Sequence, residues 1–452
     1  MRWLLVLSLA ATLAAQPAPF TISQAVESAL QNYPSIRAGQ EQINAAAASL
    51  QLARTAYLPR VDSLAQANRA TRNNVFGLLL PQSVIPSMSG PVLGTDNLGT
   101  VWGGALGGLV SWEPFDFGLR RAGVEAAAAT RAQSEAALKR ARFEVAVAAA
   151  DACLTLTAAQ ETVRAAQAAV DRAEVILRTI VALVNAQLRP GADQSRAEAE
   201  LAAARTQLAR ARQATETART AVSQLVGVEP AQVEISALKL LELPSEQPVT
   251  RLETAANPMA IEQNAVIEQA RAQLHVLERT YFPRFYLQGS AYGRGSGAEV
   301  DGRRLGGLNG LAPNFQNYAL AFTVTFPVSD IASLRAREAA QSAAIRAQQA
   351  RAAQIATDLR AQWNAAVAGL EGSRAIAANT PVQVSAARTA LDQASARYQS
   401  GLSSIAAVAE AQRLLAQAEI DDALARLGVW RGLLGVAAAA GDIQPFLAEV
   451  SQ

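Results

Sequence analysis

Few residues in this chain have a type and spacing that could support catalysis. The only histidine, His275, is flanked by Leu274 and Val276 on a helical segment, which favours a packing or surface role. The glycine-rich run Gly293-Arg294-Gly295-Ser296-Gly297 does not match a phosphate-binding loop and is predicted to be an ordinary loop. The sequence also shows no metal-ligand cluster and no nucleophile beside a base. We therefore expect that the protein is not an enzyme and uses no cofactor or metal.

The start of the chain is typical of an exported protein. Met1-Arg2 precedes the apolar run Trp3–Leu13 and the small pair Ala14-Ala15, which predicts a secretory signal peptide over residues 1–15. Beyond it, we find no run of about twenty apolar residues that would predict a membrane-spanning helix. The only cysteine, Cys153, is expected in a helix core, so the chain folds without internal disulfides. A net charge of +2, with arginines spread along helices, excludes nucleic acid as an expected partner.

Very long helices must position any functional residue. No proline or glycine occurs between Val124 and Gln187, and the helical pattern then turns and returns to about Val226. At 1.5 Å per residue, an arm of roughly 70 residues is on the order of 100 Å long. The return arm carries a seven-residue spacing, as in a supercoiled helix pair, at Leu201, Leu208 and Val222. The pattern alone leaves a plain coiled coil as an alternative.

A second copy of this plan follows in the same chain. A second long helix is predicted from Asp330 to Tyr398, with a turn at Gly401-Leu402 and a return helix to about Leu434. The two turns, at 187 and 401, lie 214 positions apart, and the prolines at 114 and 327 lie 213 apart. The chain is therefore predicted to be an internal duplication. Pro381 is expected to kink or restart the second long helix.

Each copy also contains a predicted β-hairpin, at about 61–113 and about 284–327. Bulky residues alternate with small or polar ones, as at Tyr318, Leu320 and Phe322. Strands of about ten residues can span a membrane when tilted by about 45°. Four strands cannot close a barrel, and an open edge leaves unpaired backbone groups in lipid, so several chains would have to share one barrel. The alternative is a soluble sheet packed on helices.

The chain resembles the TolC-like family of outer-membrane efflux and secretion channels over about 20–440. The carriers are the runs Phe20-Thr21-Ile22-Ser23-Gln24-Ala25-Val26, Ala56-Tyr57-Leu58-Pro59, Pro114-Phe115-Asp116-Phe117-Gly118, Asp193-Gln194-Ser195-Arg196-Ala197-Glu198-Ala199-Glu200-Leu201 and Ala396-Arg397-Tyr398-Gln399-Ser400-Gly401-Leu402. The resemblance implies a mainly α-helical trimer with membrane β-structure. Each chain would give four strands to a twelve-stranded outer-membrane barrel above a periplasmic helical tunnel.

The resemblance also implies a domain organisation. Residues 16–227 would form the first repeat, with a helical hairpin over 116–226, and 257–440 the second, with a helical hairpin over 330–434. Residues 228–256 would form an equatorial connector, and 441–452 a short C-terminal tail.

In this family the helix turns form the periplasmic aperture and meet a periplasmic adaptor protein. The resemblance places the adaptor-contacting tips at Gln187, Leu188, Arg189, Pro190 and Gly191 in the first copy, and at Tyr398, Gly401, Leu402 and Ser403 in the second. The family has glycine where this chain has Gln187, so a different backbone shape is expected there.

The same resemblance places three positions at the aperture gate. Asp193 keeps the family's acidic residue in the first copy. In the second copy one acidic position is replaced by Ala407, and another falls on Glu410. A ring of three Glu410 side chains would form a cation-favouring constriction. The alternative is that Glu410 lies on an ordinary solvated helix face.

The resemblance implies a passive outer-membrane exit duct with its tunnel in the periplasm. It would serve a tripartite efflux pump or a type I secretion system, together with a periplasmic adaptor and an inner-membrane transporter. The runner-up is a soluble periplasmic coiled-coil scaffold. The sequence does not identify the cargo.

Overall fold

The computed structural model describes residues 20–71, 99–236, 239–245, 252–299 and 303–451. The predicted signal peptide and residues 72–98, within the first predicted β-hairpin, lie outside these residues. The first copy contains two short helices, a β-hairpin and a long helical hairpin: α1 Ile22–Asn32, α2 Pro34–Thr55, β1 Arg60–Thr71, β2 Thr100–Phe115, α3 Leu119–Asn185 and α4 Gly191–Val226.

The second copy follows after a connector with three short 3-10 helices, at Pro230–Gln232, Lys239–Leu241 and Thr254–Ala256. Its order repeats the first: α5 Pro258–Arg279, β3 Arg284–Ser296, β4 Phe315–Thr325, α6 Ile331–Gln399 and α7 Ile405–Ala440. A 3-10 turn, Val328–Asp330, precedes α6, and a last helix, α8, spans Gln444–Ser451. The short C-terminal tail predicted over 441–452 thus contains a helix that the sequence pattern did not predict.

The first helix begins at Ile22, directly after its capping residue Thr21. The Thr21 hydroxyl accepts a hydrogen bond from the Gln24 backbone N–H at 3.2 Å, and the Thr21 N–H donates to Gln24 Oε1 at 3.0 Å. This capping box satisfies two backbone donors that have no partner within the helix. Pro34 then opens α2, because proline is tolerated in the first turn of a helix.

The four strands form one antiparallel sheet in the order β1-β2-β3-β4. β1 and β4 are therefore its edges, and β2 pairs with β3 across the two copies. One face is apolar and strongly exposed, with Tyr318 at 84% and Leu320 at 80%. On the opposite face Gln288 and Ser290 are buried. The alternation predicted from the sequence is confirmed.

Glycines allow close packing at the end of the sheet far from Phe115. A Cβ on Gly107 would lie 2.3 Å from the Tyr292 Cβ, and one on Gly104 would lie 2.3 Å from the Leu311 carbonyl oxygen. The ladder continues through Gly293 to Ser296, where the sequence favoured a loop. The missing side chains explain both features, since they let a neighbouring backbone lie against the strand.

The helices of the two hairpins pack through Ala-rich seams. Leu201 and Leu208 of α4 pack with Ala166 and Val170 of α3 in one buried cluster. Thr215, which the heptad analysis passed over, is also buried and donates to the Ala211 carbonyl at 3.0 Å. Its hydroxyl is satisfied within the helix, so a polar residue can occupy a seam position.

Two outcomes differ from the expectations for the long helices. α6 runs through Pro381 as one helix from Ile331 to Gln399, so the predicted restart there is wrong. Among the described residues, α3 and α7 are each long and apolar enough, by length and composition, to cross a membrane. Both helices also carry many buried residues, as the core helices of a helical bundle do.

Candidate functional site at the helix turns

The two hairpin turns have the same backbone hydrogen bonds. At the first turn, Gln187 N donates to the Val184 carbonyl and Leu188 N to the Leu183 carbonyl, both at 2.9 Å. At the second, the equivalent bonds join Gly401 to Tyr398 at 3.0 Å and Leu402 to Arg397 at 2.8 Å. These are the paired bonds of a Schellman helix end, which satisfy the last carbonyls of each outgoing helix.

Gln187 and Gly401 occupy equivalent positions in the two turns. Both have a left-handed backbone, with φ of 58° at Gln187 and 77° at Gly401. Gln187 therefore adopts the backbone conformation that glycine has at the second turn. A residue with a Cβ is strained in this conformation by about 1 kcal/mol, so the first turn carries a cost that the second avoids.

The residue after each left-handed position is an exposed leucine. Leu188 is 68% exposed and Leu402 is 71% exposed. In many helix ends of this type the corresponding side chain folds back onto the last helical turn. Here both leucines project from the turns, so each turn presents one exposed apolar side chain.

Tyr398 joins the second hairpin to the first turn. Its hydroxyl donates to Asp193 Oδ2 at 2.9 Å, and its backbone carbonyl accepts a short hydrogen bond from Arg189 Nη2. The Arg189 guanidinium carbon also lies 4.4 Å from the centroid of the Tyr398 ring, in cation–π range. Tyr398 is only 4% exposed, so these contacts hold a buried side chain.

The surroundings of Tyr398 keep its phenol protonated. Burial, with the hydrogen bond to Asp193 as the next cause, raises the pKa of Tyr398 to about 12. A phenol that stays neutral at ordinary pH remains a donor to the Asp193 carboxylate. We name the group formed by Tyr398, Asp193 and Arg189 the tip latch.

An apolar cluster from all four hairpin helices surrounds the latch. It includes Ile180 of α3, Ala197 of α4, Leu391 of α6, and Val408 and Leu415 of α7. Apolar side chains around the hydrogen bond reduce competition from water, so the bond counts for more than it would on an open surface.

The tip latch runs from the second hairpin to the first turn and has no counterpart in the reverse direction, although the turns are duplicated. With the offset of 214 positions, the counterparts of Tyr398, Asp193 and Arg189 are Val184, Ala407 and Ser403. None of these three can make the ionic or phenolic contact of its counterpart. The Ser403 hydroxyl is in fact buried without a hydrogen-bond partner in the described part of the chain.

The predicted gate positions on α7 lie outside the latch. Ala407 and Glu410 are both exposed. Glu410 Oε2 lies 3.4 Å from Arg413 Nη2, and the same nitrogen lies 3.6 Å from Glu200 Oε1. Glu410 is therefore charge-paired within its own chain. An exposed pair of this kind contributes about 0–1 kcal/mol to stability, but it changes the local charge.

The structure groups the predicted residues differently from the sequence. Asp193, Arg189 and Tyr398 meet, although the sequence analysis assigned them to separate gate and tip roles. Arg413 was missed; its spacing of three from Glu410 is the signal that could have identified the pair. Among the described residues, no three His, Cys, Asp or Glu side chains are grouped so as to hold a metal ion.

The family match divides into two segments that correspond to the two copies. The family described as "Outer membrane efflux protein" matches residues 25–228 and 254–442, close to the two copies. Among solved structures, VceC from Vibrio cholerae is 18% identical, with a TM-score of 0.74 over 93% of this chain and 96% of VceC.

A membrane protein from Pseudomonas aeruginosa is 20% identical, with a TM-score of 0.78 over 94% of this chain and 93% of its own. The MtrE outer membrane channel of Neisseria gonorrhoeae, in its open state, is 20% identical, with a TM-score of 0.70 over 93% of this chain and 89% of its own. No curated protein sequence matches the chain significantly. At these identities the structural likeness establishes the fold.

Proposed function

The chain belongs to the outer membrane efflux protein family, and from this premise we propose that it is the passive exit duct of a tripartite efflux pump or a type I secretion system. Membership makes it an outer-membrane efflux channel with a periplasmic tunnel, and not an enzyme. The proposal adds the assembly, the gate and the partners: three copies forming one channel, with a periplasmic adaptor and an inner-membrane transporter delivering the cargo.

The observation that carries the proposal is the exposed apolar face of an incomplete sheet. Tyr318, Leu320 and Phe322 project from β4 on one face. Among the described strands, β1 and β4 end the sheet, so these strands of a single chain would leave a row of backbone groups unpaired at each edge. Lipid cannot satisfy such groups, whereas pairing β4 of one copy with β1 of the next closes a barrel. Three copies would close twelve strands, within the range of known membrane barrels.

A soluble periplasmic scaffold is less consistent with the same face. Large apolar side chains on contiguous rows of a sheet are rarely left in water without a partner. The helical hairpins suit both functions, so the sheet is the feature that distinguishes them.

The tip latch is proposed as the resting restraint of the periplasmic aperture. Tyr398 on α6 is bound to Arg189 and Asp193 on the other hairpin, so separating the two hairpins must break these contacts. Leu188 and Leu402 are proposed as the apolar points that an adaptor contacts. Gln187, Pro190, Gly191, Gly401 and Ser403 shape the same surface, and Ala407 and Glu410 line the path beyond it.

Conductance in planar lipid bilayers tests the proposal. We expect the purified full-length protein to form channels that are mostly closed, and Tyr398→Phe to raise the open fraction by about fivefold, since it removes a hydrogen bond to a charged group. Thr389→Val is the matched control, because the Thr389 hydroxyl bonds only the Ser385 carbonyl of its own helix. A wild-type protein that never inserts or conducts would overturn the exit-duct proposal.

Capture of the partner tests the tip assignment. Leu402→Cys carrying a photoreactive crosslinker should capture an adaptor in intact cells, and Leu424→Cys, another exposed leucine of the second hairpin, should not. Equal capture from both positions would contradict the assignment of the turns as the adaptor surface.

A further inference from the structure

One long helix carries a proline where its counterpart does not. Pro381 lies within α6, and the equivalent position 214 residues earlier in α3 is Gln167. Proline has no backbone N–H, so the carbonyl of Ala377, four residues earlier, has no helical donor. One missing bond in a helix of 69 residues defines a single place where bending costs least.

The apolar packing between α6 and α7 is interrupted at the same level. One cluster, which we call the basal cluster, contains Leu370 and Ala377 of α6 with Ala425 and Val429 of α7. The cluster around the latch, which we call the turn-side cluster, begins again at the partly buried Val384 of α6 and ends at Ala418 of α7. Pro381 lies between the two clusters, so bending there leaves each cluster intact.

A polar contact, not an apolar one, joins the helices across this gap. The Thr380 hydroxyl donates to Asp422 Oδ1 at 2.8 Å, and Arg426 Nη2 donates to Asp422 Oδ2 at 2.6 Å. Arg426 also reaches the connector, where Nη1 donates to the Leu241 carbonyl at 3.2 Å. The carboxylate of Asp422 therefore links the residue before the proline to a fixed segment of the chain.

Beyond the gap, toward Gly441, α7 is held by several contacts. The fully buried Trp430 donates from Nε1 to the Glu242 carbonyl at 3.0 Å, and its ring packs edge-on against Phe446 of α8. Glu449 of α8 accepts two hydrogen bonds from Ser245 of the connector. This side of the gap is thus attached both to the connector and to α8.

On the side of the gap that leads to the helix turn, the polar contacts of the second hairpin can be replaced by contacts with water when the hairpins separate. Arg172 of α3 pairs with Glu419 at 2.8 Å, and the tip latch holds Tyr398. Both side chains of the ion pair are partly exposed, so water can replace the pairing at small cost.

We propose that the second hairpin bends at Thr380-Pro381 when the aperture opens, with Asp422 as the contact that fixes the pivot. The turn-side cluster swings with the tip, and the basal cluster stays with the connector. The first hairpin, which has Gln167 at the equivalent position, stays straight. This inference rests on the proposed channel function for its purpose, but the bending itself is a property of the folded chain.

Distances measured by spin labels test the bend directly. Arg360→Cys and Ala396→Cys place labels on exposed positions of α6 on either side of the proline, and Cys153 is fully buried and can remain. Labelled full-length protein is unfolded, mixed with an excess of unlabelled protein and refolded in detergent, so that distances within one copy dominate. We expect a broad distance distribution, and a narrower and longer one after Pro381→Ala restores the helical N–H.

Variants of the pivot contact should act in the opposite direction. Thr380→Val and Asp422→Asn remove the link, so both should broaden the distribution further. Thr389→Val and Asp421→Asn are the matched controls, because Asp421 bonds only Gln417 of its own helix. A wild-type distribution as narrow as that of Pro381→Ala would overturn the hinge, and so would equal effects of the variants and their controls.

Conductance then separates the hinge from the channel proposal. With wild-type channels present, Pro381→Ala should lower the open fraction by roughly fivefold, the change expected from one restored hydrogen bond. An unchanged open fraction with a narrowed distance distribution would show that gating does not use the bend, and the hinge proposal would fail while the channel stands. Absence of all wild-type conductance would instead remove the channel function.

Discussion

The two helix turns share one backbone conformation, but the side chains around them differ. Gln187 and Gly401 adopt the same left-handed conformation and the same paired hydrogen bonds, although only Gly401 does so without a Cβ. The side chains around them have diverged, because Tyr398, Asp193 and Arg189 correspond to Val184, Ala407 and Ser403. Duplication has thus preserved the turn and left the latch in a single sense, from the second hairpin to the first.

This comparison has a mechanical consequence. If each hairpin contributed a latch to the other, two sets of contacts would join them. In the observed arrangement the contacts all involve Tyr398 of the second hairpin. The proline of α6 lies on the same hairpin as Tyr398, so the restrained element is also the one with a weak point. We expect the second hairpin to move and the first to act as its support.

The largest difference between the copies should appear when each central side chain is removed. Tyr398→Ala empties a buried, aromatic site and should cost about 3–5 kcal/mol in the free energy of unfolding. Val184→Ala, at the equivalent position, removes much less apolar volume and should cost about 1–2 kcal/mol. Thermal unfolding of the helices in detergent, followed by circular dichroism, measures both. Equal losses would mean that the two turns are equally restrained.

The next difference lies in the left-handed residues. Gly401→Ala forces a Cβ into this conformation and should destabilise the turn by about 1 kcal/mol, whereas Gln187→Gly should stabilise the protein by a few tenths to 1 kcal/mol. The same unfolding experiment reports both changes. Destabilisation by Gln187→Gly would show that the glutamine side chain makes a contact worth more than its backbone strain.

High pH should release the latch. The pKa of Tyr398 is raised above its unfolded value to about 12, so the stability from the neutral phenol is full below about pH 10 and is lost as pH rises through about 12. As the pH rises from about 10 to about 12, the free energy of unfolding should fall in the wild type and should fall less in Tyr398→Phe. Identical slopes in the two proteins would contradict the assigned donor role of the phenol.

The smallest effect is expected at the charge pair on α7. Arg413 lies near both Glu410 and Glu200, so Arg413→Ala should raise the cation preference of the channel and Glu410→Ala should lower it. Reversal potentials in a salt gradient measure these shifts, which we expect to be on the order of 5–10 mV because exposed charges are screened. Arg178→Ala, on α3, serves as a control for loss of one positive charge. An unchanged preference in Glu410→Ala would remove Glu410 from the ion path.

Local patterns in the sequence predicted most of the elements. Alternation at Tyr318, Leu320 and Phe322 predicted β4, and the spacing of Leu201, Leu208 and Val222 predicted the buried seam of α4. Each of these signals is repeated over several residues or has a short-range partner. Tertiary contacts therefore have little power to override them.

The features that the sequence missed depend on distant parts of the chain. α6 continues through Pro381 because packing on both sides holds the helix against the loss of one bond. The left-handed Gln187 is fixed by the hydrogen bonds of its turn, although glutamine does not favour that conformation. The contact of Arg189 with Tyr398 joins residues 209 positions apart, which no local spacing reveals.

The central claim is that one chain holds only part of a membrane barrel, and native mass spectrometry of the detergent-extracted full-length protein tests it most directly. The account predicts a complex of three copies that is extracted from the outer membrane only with detergent. A single copy that stays dispersed in buffer without detergent would contradict the account.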